Sequence, residues 1–205
     1  MNYYTIPADQ PPGLYWYHTH PHGESYQQDL DGMSGAIVID GMHQYCPEIK
    51  NMKERILIRR DAELEHGAPS SAPLKSIVQL APYGCGAATA EATRVFTVNG
   101  VARPKITIAS GEKQFWRIVL YADLELDSES MTVVAFDGMP FTYHNPKRHV
   151  ERLRHLLLAP PGRAEIIVEA PKQGRAASLR CLSVNTGAGG DPEPWHGVGR
   201  SRHKC

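Results

Sequence analysis

Val95-Phe-Thr-Val-Asn-Gly100 is a run of β-branched and aromatic residues closed by Asn99-Gly100, and it sets the pattern for most of this 205-residue chain. Asn-Gly readily takes positive φ at both central positions of a two-residue hairpin turn, so the run reads as a strand that reverses. The same pattern recurs downstream. Lys105-Ile-Thr-Ile-Ala109 alternates polar and apolar residues before Ser110-Gly111. Gln114-Phe-Trp-Arg-Ile-Val-Leu120 follows, then Met131-Thr-Val-Val-Ala-Phe136, closed by Asp137-Gly138. Leu156-Leu-Leu158 stops at Pro160-Pro-Gly162, and Ala164–Glu169 and Ser178–Val184 complete the series. Short strands separated by turn signals predict an all-β, antiparallel sandwich or barrel. The 18 Gly and 16 Pro favour turns over long helices. No capped stretch with a 3.6-residue apolar stripe stands out.

Upstream of this series, Ile56-Leu-Ile58 reads as its first strand, and residues 61–94 as a loop-rich region with three prolines and Gly84-Cys-Gly86. Residues 42–54, with Pro47 and many polar groups, read as a linker. The mostly apolar run at 35–40 suits a strand covered on both faces, after a turn near Asp31-Gly32. Before it stands Gly13-Leu-Tyr-Trp-Tyr-His-Thr-His-Pro-His-Gly23. Its aromatic residues favour a strand over 14–20, which would place His18 and His20 on one face, roughly 6–7 Å apart at Cα. Two imidazoles so close are costly to protonate together, but each can offer a neutral lone pair to a metal. The spacing suits one ligand to each of two neighbouring metals. The plainer reading of alternate histidines on a strand is a polar surface face.

Composition excludes several functions. Lys plus Arg equals Asp plus Glu, 22 each, so nothing draws the chain towards nucleic acid or anionic membrane. No apolar stretch approaches the ~18 residues needed to span a bilayer. Cys46, Cys85, Cys181 and Cys205 form no Cys-x-x-Cys pair, which argues against a zinc site. They read as partly buried free thiols, with one disulfide as the alternative. Gly84-Cys-Gly86 lacks the third glycine of a dinucleotide loop, and no Gly-x-Ser-x-Gly elbow is present. Met1 is followed by a polar, turn-rich segment with no signal-peptide pattern, which for the chain as given suggests the cytoplasm.

The stretch from Tyr4 to Gly23, with Gln28, Asp31-Gly-Met-Ser-Gly35 and Ala36-Ile-Val-Ile-Asp40, resembles the second copper motif of the multicopper oxidases, the laccase-like blue copper enzymes. Phe96–Gly100, Gly111–Ile118, Val134–Gly138 and Pro161–Val168 resemble that family's middle domain, in the same order. The resemblance covers roughly residues 4–195. It implies a cupredoxin-like Greek-key β-sandwich and copper as cofactor. It carries onto His18 and His20 the role of ligands to the binuclear type 3 coppers of a trinuclear cluster, and leaves His22 in the outer sphere. It implies that residues 1–41 end a first domain and that 55–187 form a second domain that binds no copper of its own; between them lies the linker at 42–54, and after them an irregular tail at 188–205. Arg117 and Arg163 then read as strand-flanking charges, Trp116 as core and Asp137 as a turn former.

In the intact family enzyme, copper-dependent oxidation of a reducing substrate is coupled to four-electron reduction of O2 to water. The family's other His-x-His, His-x-x-His-x-His and His-Cys-His motifs do not occur here. The remaining histidines (His43, His66, His144, His149, His155, His196, His203) are scattered. The chain therefore reads as a fragment, inactive alone, with no catalytic residue of its own assigned. After about Trp195 the resemblance lapses, as in a truncated or frameshifted gene, with a natural basic tail as the alternative. Rival readings are a structural or weakly copper-binding β-domain, and a subunit that completes its cluster with a partner chain. Unpaired apolar strand edges predict self-association or aggregation. Family members are often periplasmic or secreted, so the location is open.

Overall fold

The computed structural model describes residues 3–64, 93–119, 122–127, 129–148, 150–159, 162–173, 177–182 and 196–204. The chain is mostly β. In order it forms β1 (Gly13–His18), α1 (Ser25–Leu30), β2 (Ser34–Ile39), β3 (Lys53–Leu64), β4 (Thr93–Val98), β5 (Val101–Ala102), β6 (Lys105–Ala109) and β7 (Lys113–Val119). Then come β8 (Ala122–Leu126), β9 (Met131–Phe136), β10 (Met139–Pro140), β11 (Glu151–Leu153), β12 (His155–Leu158), β13 (Arg163–Glu169), β14 (Ala177–Leu182) and β15 (His196–Lys204).

Two sheets make the sandwich. The larger runs β10-β9-β13-β7-β3-β4-β5, with β11 also on β9; the smaller runs β12-β8-β14-β15-β6. Both tight turns anticipated from sequence have left-handed backbone. Asn99 and Gly100 have φ 51° and 76°, and Asp137 and Gly138 have 50° and 78°, as a hairpin turn of that type requires. The sheets are mixed rather than purely antiparallel. β3 pairs with β7, and β15 with β6, in parallel, which needs crossover connections between the layers.

The core lies between the sheets. Trp116, Ile118, Met131, Val133 and Ile166 of the larger sheet meet Ile108, Leu124, Leu156, Leu179 and Cys181 of the smaller one. Each large apolar side chain removed from water here contributes on the order of 1.5–3 kcal/mol. Leu124 and Leu126 point inward from β8 while Asp123 is partly exposed, the alternation expected of a strand with one wet face.

The larger sheet has a second covered face. Residues 42–54, expected as a linker, fold into two 3-10 turns, Met42–Gln44 and Pro47–Asn51, and β3 begins at Lys53. Met42, Cys46 and Ile49 are buried against Phe115, Val134, Ala135 and Ile167. The centres of β7 and β13 are consequently buried on both faces, which is why Gln114–Ile118 and Ala164–Val168 show no alternation of exposure. Cys46 carries a free thiol. Burial, aided by Glu48, pushes that thiol above its ordinary range, so it is a poor nucleophile or ligand. Cys181 is buried, whereas Cys85 and Cys205 lie outside the described residues.

Arg117 is not a strand-flanking charge. It lies mid-strand in β7, 3% exposed, opposite Glu165 of β13. Its guanidinium bonds Glu165 and, through Nε, Glu54 Oε1 at 2.6 Å. Covering both faces of the sheet removes this cation from water, and it is paired from two strands, by buried Glu165 of β13 and by half-exposed Glu54 of β3. Burial pushes the Glu165 carboxyl up to about 7, against the opposing pull of Arg117 and of the Leu14 backbone amide. Arg163, by contrast, sits at the start of β13 and pairs with Asp137 across the β9–β10 turn at 3.2 Å.

Most of the loop expected at 61–94 lies outside the described residues; its ends belong to β3 and β4. Part of the expected irregular tail, His196–Lys204, is a strand between β14 and β6. No helix among the described residues is long and apolar enough to cross a membrane.

Candidate metal centre

β1 and β2 form a separate two-stranded hairpin, paired antiparallel from Gly13↔Ile39 to His18↔Ser34. Leu14 is fully buried at the root, while His18 at the far end is exposed. The root is fixed by close backbone approach. A Cβ on Gly13 would stand 2.7 Å from the Gly138 carbonyl oxygen, and one on Gly138 would stand 2.5 Å from the Tyr15 ring. Only glycine allows this contact between β1 and the β9–β10 turn. The Tyr15 hydroxyl accepts from Gln10 Nε2 at 2.7 Å and shares its hydrogen between the carbonyls of Pro11 (2.9 Å) and Gly138 (3.0 Å). At the other end, the Arg60 guanidinium bonds the Ser34 carbonyl oxygen and ties β2 to β3.

The two tyrosines lie on the face opposite the histidines. Tyr17 covers Gly35 of β2, where a Cβ would come 2.7 Å from its hydroxyl oxygen. Trp16, His18, His20 and His22 form the other row. The strand itself ends at His18, so His20 and His22 continue the row from the following loop. The His18 and His20 ring centroids are 5.6 Å apart and tilted by 52°. His20 and His22 are 5.8 Å apart at 51°. Trp16 stacks on His18, with centroids 4.2 Å apart and planes within 7°. All three imidazoles are exposed.

The loop that carries His20 and His22 is tightly tied. The backbone amides of Glu24 and Ser25 and the Ser25 hydroxyl all donate to the Pro21 carbonyl, at 3.1, 3.0 and 2.8 Å. Gly23 supplies a φ of 87°, and α1 begins at Ser25.

This donor set fits a borderline metal such as copper, for which neutral imidazole is a preferred ligand. A pair of rings with centroids near 5.6 Å can close on one ion or place one nitrogen on each of two. Among the described residues no three His, Cys, Asp or Glu side chains gather at one point as a complete site. His155 is far along the chain on β12, bonded to Asp123 Oδ1 at 3.0 Å, and His144 packs edge-on against Tyr143. An open cleft lined by Phe136, Asp137, Leu157, Leu158, Ala159, Gly162 and Arg163 contains none of the histidines. Trp16 is the member of the row that sequence reading left out. The signal was present, since residue i−2 shares a strand face with residue i.

Comparison with known proteins bears on the same stretch. Residues 1–44 match the sequence model of a family described as multicopper oxidase. No curated protein sequence gives a significant match. Among solved structures, the laccase-like multicopper oxidase CueO of Ochrobactrum sp. superposes with a TM-score of 0.68 at 18% identity, over 97% of this chain and 42% of that one. The multicopper oxidase of Campylobacter jejuni, a metallo-oxidase, gives 0.67 at 20%, over 96% and 39%. McoA of Aquifex aeolicus gives 0.68 at 18%, over 95% and 42%. The chain thus spans less than half the length of these three structures. Its residues 1–44 carry the sequence signature of the multicopper oxidases, and its described remainder has the cupredoxin-like fold of their solved members.

Proposed function

We propose that this chain is part of a multicopper oxidase, in which His18 and His20 are copper ligands and the β3–β15 sandwich is the support against which their hairpin is set. The observation that carries the reading is the exposed His18–His20 pair, 5.6 Å between rings, inside the stretch that matches the family. On this reading the β1–β2 hairpin ends a first domain, and the sandwich from Lys53 onward is a second that binds no copper itself. Copper, when bound, supplies one-electron redox chemistry, so that oxidation of a reducing substrate can be coupled to four-electron reduction of O2 to water.

The chain's own residues contribute position. Trp16 limits rotation of the His18 ring by stacking on it, and the bonded turn at Pro21 holds the loop after His20. The Gly13–Gly138 contact and the Tyr15 hydroxyl fix the hairpin root to the sandwich. Two imidazoles offer too few ligands for a three-metal cluster, so the remaining ligands and the reducing-substrate site belong to other parts of the enzyme.

Calorimetric titration of the purified chain with Cu(II) tests this reading. Wild type is expected to bind copper, and His18→Ala/His20→Ala to bind it at least tenfold more weakly, about 1.4 kcal/mol. Equal binding by the two would refute the ligand assignment. Oxygen consumption with a diphenol is expected to be nil for the copper-loaded chain alone, and turnover there would refute the division of ligands.

A further inference from the structure

We infer that His20 and His22 form a second, outer copper-holding pair that shares His20 with the His18–His20 pair, so that the row acts as a loading path. The inference rests on His18 and His20 being copper ligands. The two ring separations, 5.6 Å and 5.8 Å, and the two tilts, 52° and 51°, are nearly the same. With metal–nitrogen bonds of about 2.0 Å and a ring centroid about 1.1 Å behind the nitrogen, two imidazoles on one ion have centroids about 4.4–6.2 Å apart. Both pairs lie within that range. Whatever geometric claim is made for the first pair holds equally for the second.

The His22 side of the row is also built rather than loose. Two backbone amides and one hydroxyl converge on the Pro21 carbonyl, and they fix the turn on which His22 stands. His22 is exposed, as an arrival site for an ion from solution must be. Passage inward then exchanges one imidazole for another. With copper bound, His20 would keep its bond while His22 released the ion and His18 took the vacated position. No electron or proton need move if all three rings are neutral. Trp16 caps the inner end of the row by its stack on His18.

Trp16 also provides the readout. Copper held by His18 lies beside the indole and quenches its fluorescence, whereas copper held by His20 and His22 is one ring further away. The Cu(II) titration is followed by calorimetry and by Trp fluorescence in wild type, His18→Ala, His20→Ala and His18→Ala/His22→Ala, with Trp16→Phe identifying the Trp16 signal. These imidazoles are exposed, and circular dichroism verifies that each variant is folded. His18→Ala is expected to keep binding within about fivefold of wild type with weaker quenching per bound ion. The His18→Ala/His22→Ala and His20→Ala variants are expected to lose at least tenfold. If His18→Ala binds as poorly as His18→Ala/His22→Ala, the outer pair does not exist, although the assignment of His18 and His20 stands. If wild type binds no copper, that assignment fails as well.

Discussion

The β1–β2 hairpin and the β7–β13 centre of the larger sheet are both paired strands rich in aromatic and branched residues, yet they are built for opposite ends. β7 and β13 are buried on both faces and hold an ion pair in the interior. The hairpin is buried only at its root and leaves His18, His20 and His22 in solvent. A layer buried on both faces thus fixes one end of a short element, and the other end is exposed. Stability should therefore be concentrated in the sheet centre, and metal binding at the hairpin tip, with little overlap.

The largest break in that contrast comes from the sheet centre. At about pH 9, where Glu165 is ionised beside Arg117, Arg117→Ala leaves that carboxylate buried without its main cation and is expected to cost about 3–5 kcal/mol in urea denaturation. A loss below about 1 kcal/mol would mean that the pair is not buried as described. Next is the root of the hairpin. Gly13→Val drives a side chain into the Gly138 backbone and is expected to cost about 1–3 kcal/mol. It should raise amide exchange in β1 and β2 far more than in β9 and β13, and uniform loosening would contradict a separately docked hairpin.

A pH series sharpens the description of the sheet. Glu165 has its folded pKa raised to about 7, against about 4.3 in an unfolded chain. Between those values the folded state holds the extra proton. The contribution of Glu165 to stability is thus fully present below about pH 4.3 and is lost as pH rises through about 7. Glu165→Gln should remove that slope, and an unchanged pH profile would show that the slope arises elsewhere. Tyr15→Phe is a smaller change: it deletes the hydroxyl shared by Pro11 and Gly138 and should cost about 1 kcal/mol. Smallest of all, His18→Ala/His20→Ala should move unfolding by no more than about 0.5 kcal/mol, as exposed substitutions do, while weakening copper binding at least tenfold.

The legible parts of this fold were local. β6 and β9 stand at the residues their composition indicates, and Asn99-Gly100 and Asp137-Gly138 make their turns because short-range backbone preference suffices. The side-by-side placement of His18 and His20 was legible for the same reason, since both residues and their period lie within one short stretch. What escaped depends on partners distant in sequence. β15 is a polar, glycine-containing strand, made by pairing with β14 and β6. Arg117 reads as a strand-flanking charge until its register opposite Glu165, 48 residues away, is known. Residues 42–54 read as a linker because the apolar surface that buries Met42, Cys46 and Ile49 belongs to β7, β9 and β13.

The most direct test of the copper-ligand assignment is copper-edge X-ray absorption of the chain loaded with less than one equivalent of Cu(II). The expected spectrum shows about two imidazole nitrogens at about 2.0 Å with their outer-ring scattering, and His20→Ala, which breaks both histidine pairs, loses that signature. Oxygen-only coordination in wild type, or an unchanged imidazole signature in His20→Ala, would contradict the assignment of copper to this hairpin.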